Sequence, residues 1–457
     1  MSLQPDSSAP STHIIDGKKV ISEESLPAIN PATEEVIAKV PVATKKQLNE
    51  AIRTAERAFP SWSSLPVEER QKALDKLGQL FEQHLNDIVD LIVTETGKTK
   101  DISHIEAGMC VPWLREGGAK RSLQEEVLFE TSDRKVITRY IPIGVVGYLF
   151  FRVNYNIQSP SKCAAITPWN FPMSLLMWKV VPALLAGNTL IVKPSPYAPL
   201  ACVKFVEQAQ QVLPPGVLNT LTGDNELGPW MVEHPGFKHV SMTGSITSGK
   251  TIMRCAATNL TRITLELGGN DPAIILPDID PKTLAPCICA AIKRLYIHEE
   301  VYDALRDELV AYARTIKVGD PAQPDIGMGP VQNREGFNKV NLLRGYIDDC
   351  KKHGYRFVLG GEVDPSQKGY FVPITIVDNP PDDSKIVQEE PFGPIVPLLR
   401  WRDEDDVVRR ANATQYGLSA SIWGKDLGQQ SGFGVEHGRQ GLIAWTQIQT
   451  VTINRNP

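Results

Sequence analysis

Five short stretches carry residue types that can do chemistry, and they follow one another along the chain. Thr167-Pro168-Trp169-Asn170-Phe171-Pro172 holds a side-chain amide on a loop pinned by two prolines. A fixed amide donor is what a developing oxyanion needs, although the same residues make a rigid turn around a buried tryptophan. Leu265-Glu266-Leu267-Gly268-Gly269-Asn270 sets a carboxylate between leucines. Partial burial would raise its pKa toward a value useful in a general base, whereas a strand-end glutamate in an ion pair would read the same way. Cys289 lies in Cys-Ile-Cys-Ala-Ala-Ile-Lys-Arg-Leu-Tyr. A thiolate is both nucleophile and leaving group and suits a covalent acyl intermediate; otherwise a cysteine in an apolar run is core packing. Glu389-Glu390-Pro391-Phe392-Gly393-Pro394 is either a turn bounded by prolines or a carboxylate for ribose hydroxyls with an aromatic beside a nicotinamide.

The fifth stretch, Gly244-Ser245-Ile246-Thr247-Ser248-Gly249-Lys250-Thr251, matches the phosphate-loop pattern G-x-x-x-x-G-K-[ST], with a strand before it and a helix after it. Glycines let a backbone approach phosphates, and a helix N-terminus offers N–H groups to an anion. A chance match in a glycine-rich turn is the plain reading. An anion at this turn fits either way, but an ATPase needs the rest of the chain to agree, and it does not.

Elements of alternating type must position these residues. Thr44 caps a segment with Leu48, Ala51, Ile52, Ala55, Ala58 and Phe59 on one face, and Pro66 suits the first position of a helix bearing Leu74, Leu77, Phe81, Leu85 and Ile88. Gly97 can close the next helix, and Val136 to Phe151 is β-rich. From about Ser174 helices and short apolar strands alternate: helix 175–185, strand 189–192, helix 200–213, strand 217–221, strand 239–243. That rhythm indicates βαβ units and a parallel sheet whose strand ends open onto a nucleotide crevice. After Leu265 a second α/β pattern begins, with strands at 273–276, 357–359 and 371–377 and an amphipathic helix at 301–316. The β-branched segment 446–453 suits pairing with another element or another subunit.

The 457 residues suffice for two or three packed units, and 42% apolar with 22% charged is a globular balance. A net charge of −5 without a basic block argues against nucleic acid as a partner. No window of eighteen apolar residues is present and no secretory signal opens the chain, so a membrane is not an expected partner. Seven scattered cysteines read as reduced thiols in the cytoplasm. Cys287 and Cys289 form a pair with no second pair or histidine cluster, so no metal is expected.

Taken in order, the motifs resemble the aldehyde dehydrogenase superfamily over nearly the whole chain: Pro-Trp-Asn-Phe-Pro, Lys193-Pro194-Ser195-Pro196, Thr243-Gly244-Ser245, Leu265-Glu266-Leu267-Gly268-Gly269, Cys289 and Glu390-Pro391-Phe392-Gly393-Pro394. The resemblance explains the phosphate-loop lookalike, because the family's pyrophosphate turn falls there. It implies an α/β fold of two doubly wound domains plus a β oligomerisation arm. The implied divisions are an N-terminal arm (1–25), a dinucleotide-binding domain (26–135 and 165–264), an oligomerisation segment (136–147), an insertion (148–164), a catalytic domain (265–428) and a C-terminal oligomerisation segment (429–457). The implied activity is NAD(P)-dependent, non-phosphorylating oxidation of an aldehyde to the acid. Cys289 would attack, Asn170 and the Cys289 backbone N–H would hold the oxyanion, and Glu266 would activate water to release the thioester. Lys193 and Glu390 would hold the two riboses, and Trp169 would pack near the cofactor. Thr243, Gly244, Ser245 and Gly249 would line the phosphates, Phe392 would flank the nicotinamide, and Ser195, Gly223, Leu267 and Gly268 would complete the cofactor site. NAD is the expected cofactor, with NADP the alternative, since Pro196 stands where many NAD-specific members carry a ribose-binding glutamate. A homodimer or homotetramer is implied.

The chain departs from the family in three places. Tyr148–Ala164 reads as a 17-residue insertion between Gly144–Gly147 and the Pro-Trp-Asn loop. The stretch from Glu266 to Cys289 lacks about three helical turns, with Pro286-Cys287-Ile288 in place of an Asn-x-Gly-Gln helix. After Gly428 a strand and loop are missing. Such cuts suit displaced exon boundaries or a degenerating gene, and relaxed constraint suits a tailoring role such as one in secondary metabolism. Two other readings stand beside the enzyme: a catalytically impaired relative, favoured by the shortened approach to Cys289, and a phosphate-loop NTPase.

Overall fold

The computed structural model describes residues 11–116, 126–132, 134–143, 162–288, 292–332, 339–364, 366–425 and 446–454. Strands β1 (His13–Ile15), β2 (Lys18–Val20), β3 (Ser25–Ile29) and β4 (Val36–Pro41) precede helices α1 (Lys45–Ser63), α2 (Val67–Gln83), α3 (Leu85–Thr96) and α4 (Lys100–Glu116). Thr44 starts α1 with a capping box: its Oγ1 accepts the Gln47 amide at 3.2 Å, and the Gln47 side chain accepts the Thr44 amide at 2.9 Å. The face from Leu48 to Phe59 is buried as its spacing requires. Gly97 closes α3 at φ 76°, a left-handed position that glycine takes without strain.

After β5 (Glu126–Glu130) and β6 (Arg134–Pro142) comes the unit that positions the site. It runs β7 (Lys162–Ile166), α5 (Pro172–Leu185), β8 (Thr189–Lys193), α6 (Leu200–Ala209), β9 (Leu218–Thr220), α7 (Leu227–Glu233), β10 (Phe237–Thr243), α8 (Ile246–Ala257) and β11 (Arg262–Glu266). The sheet order is β11-β10-β7-β8-β9-β1-β2, parallel from β11 to β9. Cys163, Ala165, Leu190 and Val192 face α5 and α6, while Ala164 and Ile191 face α1 and α8. Both faces are covered, so these strands read as unbroken apolar runs. The chain moves outward from β7 through β8 to β9, then returns to β10 on the other side of β7. Such a reversal opens a crevice at the carboxyl ends of the strands.

A second unit holds β12 (Pro272–Ile275), α9 (Pro281–Leu284), β13 (Arg294–His298), α10 (Glu299–Thr315), α11 (Lys339–Lys352), β14 (Arg356–Leu359), β15 (Thr375–Asp378), α12 (Lys385–Gln388), β16 (Ile395–Trp401), α13 (Glu404–Ala411) and β17 (Ser421–Trp423). Its order is β14-β15-β16-β13-β12-β17, with only β14 antiparallel. The late strand β18 (Thr446–Asn454) pairs along the whole of β6, and β5 flanks β6 on its other side. Among the described residues, no helix is long and apolar enough to cross a membrane.

Several sequence expectations are corrected. Residues 1–25 do not all form an arm: His13–Ile15 pairs with β9 through Ile14 and Thr220, and both isoleucines are buried. Three inward residues are too few for a period-two signal to show. The central strand β7 begins at Lys162, so 162–164 belong to the seven-stranded sheet and not to an insertion ending at 164. The expected strand 371–377 shrinks to Thr375–Asp378, since Pro373 cannot donate to a ladder. The rest of the 148–164 segment and residues 426–445, where the third departure lies, fall outside the described residues.

Candidate active site

The Pro-Trp-Asn loop leaves β7 beside Lys193, because Ile166 is registered with Lys193 and the Thr167 amide donates to the Lys193 carbonyl at 3.1 Å. It ends at α5, whose first amides are held from α4. The buried Glu106 carboxylate accepts Met173 N–H at 2.8 Å and Ser174 N–H at 3.3 Å. A carboxylate at a helix N-terminus is favoured by the exposed amides and the helix dipole. Asn170 is thus fixed from both sides, and its Oδ1 is buried with no partner among the described residues. Trp169 meets Phe392 edge-to-face, centroids 5.2 Å apart.

Two strand ends supply the next residues. Thr243 of β10 is registered with Glu266 of β11, and the Gly244 amide donates to the Glu266 carbonyl at 2.9 Å. Glu266 is half-buried at the mouth of the crevice. Ser245 caps α8, its Oγ accepting the Ser248 amide at 3.1 Å. That leaves the Ile246 and Thr247 amides without intrahelical partners, aimed along a helix axis that favours anions. Gly249 has no room for a side chain: a Cβ there would stand 2.5 Å from Leu267 Cδ2. The helix therefore lies close against the Glu266-Leu267-Gly268 segment. The phosphate-loop reading fails here, because α8 already starts at Ile246. The open loop that would wrap a triphosphate is helix instead, and Lys250 is exposed on it.

Lys193 is buried at the end of β8 and forms no ion pair among the described residues. Burial pushes its pKa down to about 8, against a smaller upward pull from Asp224. A buried cation in such a place fits a ligand that brings its own hydroxyls or negative charge. Ser195 is buried and its Oγ accepts the Tyr197 amide at 3.3 Å; Gly223 is buried in the loop after β9. The Glu390 carboxylate rests on Gly268, where a Cβ would stand 2.7 Å from Oε2. These residues come from six loops, five at the carboxyl ends of β7 to β11 and a sixth after α12 that carries Glu390 and Phe392. Cys289 lies outside the described residues. Cys287 is exposed at the end of a short turn, its thiol donating to the Thr283 carbonyl at 3.4 Å.

Two residues of the site escaped the sequence reading. Lys179 is buried in α5, and its ammonium donates to Thr243 Oγ1 at 2.8 Å. Lys293 sits just before β13 with its ammonium over the Phe392 ring, 4.6 Å from the centroid. Each lysine reaches a partner far along the chain, which no local pattern reports. A lysine inside the otherwise apolar run of α5 was the one available signal for Lys179. Among the described residues, no group of three or more histidine, cysteine, aspartate or glutamate side chains is placed to hold a metal.

Fold and site together define an α/β dehydrogenase, with a nucleotide-type crevice on one sheet and a facing loop from the other. Comparison with known proteins makes this specific. The model of the aldehyde dehydrogenase family matches residues 19–151 and 152–429. The chain is 33% identical to a putative aldehyde dehydrogenase, FUS7, of Gibberella fujikuroi, over 96% of this chain and 97% of that protein. It is 36% identical to the aldehyde dehydrogenase LUC3 of a Fusarium species, over 96% and 98%. Among solved structures it resembles lactaldehyde dehydrogenase from Escherichia coli, with TM-score 0.87, 28% identity and coverage of 97% and 100%. The chain belongs to the aldehyde dehydrogenase family and is an NAD(P)-dependent aldehyde dehydrogenase.

Proposed function

We propose that the protein oxidises an apolar aldehyde to its carboxylic acid through a thioester on Cys289. The observation that carries this reading is the convergence of Asn170, Glu266, Lys193, Glu390 and Phe392 at the carboxyl ends of the central strands. In this reading Cys289 Sγ attacks the carbonyl carbon, and the Asn170 amide donates to the oxygen that gains charge. Glu390 and Phe392 would hold a nicotinamide dinucleotide there, and it would supply the acceptor for the hydride that leaves the former carbonyl carbon. Glu266 then takes a proton from the water that attacks the thioester, and the acid leaves with Cys289 restored. The α8 amides and the close seat at Gly249 suit a pyrophosphate, Lys193 and Glu390 suit ribose hydroxyls, and Ser195, Gly223, Thr243 and Gly244 line the same groove. Pro196 puts no carboxylate beside the adenine-side ribose, so both NAD and NADP enter the test, with NAD preferred.

The apolar character of the substrate is read from α4. Ile102, Ile105 and Met109 are 44%, 59% and 47% exposed and lie on one helical stripe next to the buried Glu106. Glu106 holds the start of α5 three residues from Asn170, and Phe171 beside it is 45% exposed. The stripe continues to Trp113, whose ring lies 5.1 Å from that of Trp178. An aldehyde body covering this lane would gain about 0.8 kcal/mol per methylene, or up to about fourfold in kcat/KM. The three-stranded sheet supports a homo-oligomer: Val127, Leu128 and Phe129 on edge strand β5 are all exposed, an apolar edge a second copy would cover.

The test is reduced-cofactor formation from NAD and NADP with straight-chain aldehydes of increasing length, beside a Cys289→Ala control. Turnover that rises with chain length and vanishes in the control is expected. A folded protein with no turnover on any aldehyde would favour the catalytically impaired relative.

A further inference from the structure

Lys293 is a cation that takes no part in the chemical steps proposed for Cys289, Asn170 and Glu266. Its backbone is fixed, since Lys293 N–H donates to the Asp271 carbonyl at 3.1 Å and Arg294 N–H donates to the same oxygen at 3.2 Å. The side chain turns to the site wall, where its ammonium stands 4.6 Å from the centroid of Phe392. Burial holds its pKa below the usual lysine value, against a smaller upward pull from the Glu390 and Asp271 carboxylates. Asp271 is partly committed elsewhere, its carboxylate accepting the Ser419 hydroxyl at 2.6 Å and the Ser419 amide at 3.2 Å. Glu390 faces Gly268, and Phe392 faces Trp169. The ammonium is therefore built into the wall that carries the two residues assigned to the nicotinamide end of the cofactor.

A fixed positive charge in that wall does not treat the two forms of the cofactor alike. The oxidised nicotinamide ring is a cation and the reduced ring is neutral, so the charge opposes the first and leaves the second almost untouched. We infer that Lys293 is a positioning residue that sets the balance between oxidised and reduced dinucleotide, disfavouring the oxidised ring and so favouring hydride acceptance. This rests on the reading of Glu390 and Phe392 as the nicotinamide end of the site. The cation–π contact keeps the charge in place, and a guanidinium could make the same contact.

The experiment measures dissociation constants, not turnover. NADH binding is followed by its fluorescence and NAD+ by competition, in the native protein and in Lys293→Met, Lys293→Gln and Lys293→Arg. The ratio Kd(NAD+)/Kd(NADH) should fall about tenfold in Lys293→Met and Lys293→Gln, the scale a unit charge exerts across roughly 10 Å at an effective dielectric near 20. Lys293→Arg should keep the native ratio. If both constants move by the same factor, Lys293 is only a prop for Phe392 and the inference is overturned. It is overturned equally if Lys293→Arg shifts the ratio as Lys293→Met does. A native protein that binds neither form overturns this inference and the dehydrogenase site together, an outcome distinct from binding with an unchanged ratio.

Discussion

Alanine at Gly268 tests the seat of Glu390. The new Cβ would stand 2.7 Å from Glu390 Oε2, where ordinary contact begins near 3.4 Å, so the carboxylate must retreat by about 0.7 Å. The backbone at 268 lies outside the left-handed region, so alanine adds no conformational strain. The displaced atom is the far end of a flexible side chain, so stability should barely change. The effect should fall on binding instead. A carboxylate misplaced by that amount loses most of a charge-assisted hydrogen bond to a ribose hydroxyl, about 2 kcal/mol. That is roughly thirtyfold in Kd for NADH. Fluorescence titration gives the Kd, and thermal melting checks the fold. Glu390→Asp, shorter by one methylene, should weaken binding alone yet combine with Gly268→Ala at less than the product of the two losses. An unaltered Kd in Gly268→Ala would refute the assignment of Glu390 to the ribose.

Three further outcomes are expected. Asn170→Ala should lower kcat by about 10²–10³, or roughly 3–4 kcal/mol, with cofactor Kd unchanged, because the amide serves only the charged oxygen; stopped-flow reduction of cofactor measures it. Lys193 is charged below about 8 and neutral above it, so dinucleotide affinity should fall as pH rises through 8, by at most tenfold per unit, and Lys193→Met should flatten that profile. His13 is buried, and its Nδ1 accepts the Thr222 amide at 3.2 Å, an arrangement only the neutral ring allows. Burial holds its pKa at about 4, below the 6.5 of the unfolded chain, so the stability it contributes is complete above pH 6.5 and lost as pH falls toward 4. At pH 5 the loss is about 2 kcal/mol, and urea unfolding of His13→Gln at pH 7 and pH 5 should show a smaller drop than the native protein.

The legible parts of the molecule were those with a local cause. Thr44 announces α1, Gly97 marks a left-handed helix end, and apolar runs such as Thr189–Val192 reveal strands covered on both faces. Asn170 was legible as a donor because two prolines beside it fix its loop. Contacts across the chain were not. Nothing near Lys293 foretells Phe392, 99 positions on, and nothing near Glu106 foretells the Met173 and Ser174 amides it accepts. His13–Ile15 was hidden for another reason: three buried residues show no period, although β2 pairs with all three and β9 with Ile14. The phosphate-loop match shows the converse. Its spelling is complete, but the helix begins too early for the loop to exist.

The central claim is the thioester on Cys289, and the most direct measurement is intact-protein mass after one turnover with Glu266→Gln, the variant that should stall deacylation. With excess aldehyde and NAD, one equivalent of NADH per chain and a matching acyl mass on the peptide containing Cys289 are expected. Continued turnover without an acyl adduct, or an adduct that survives in Cys289→Ala, would contradict that claim.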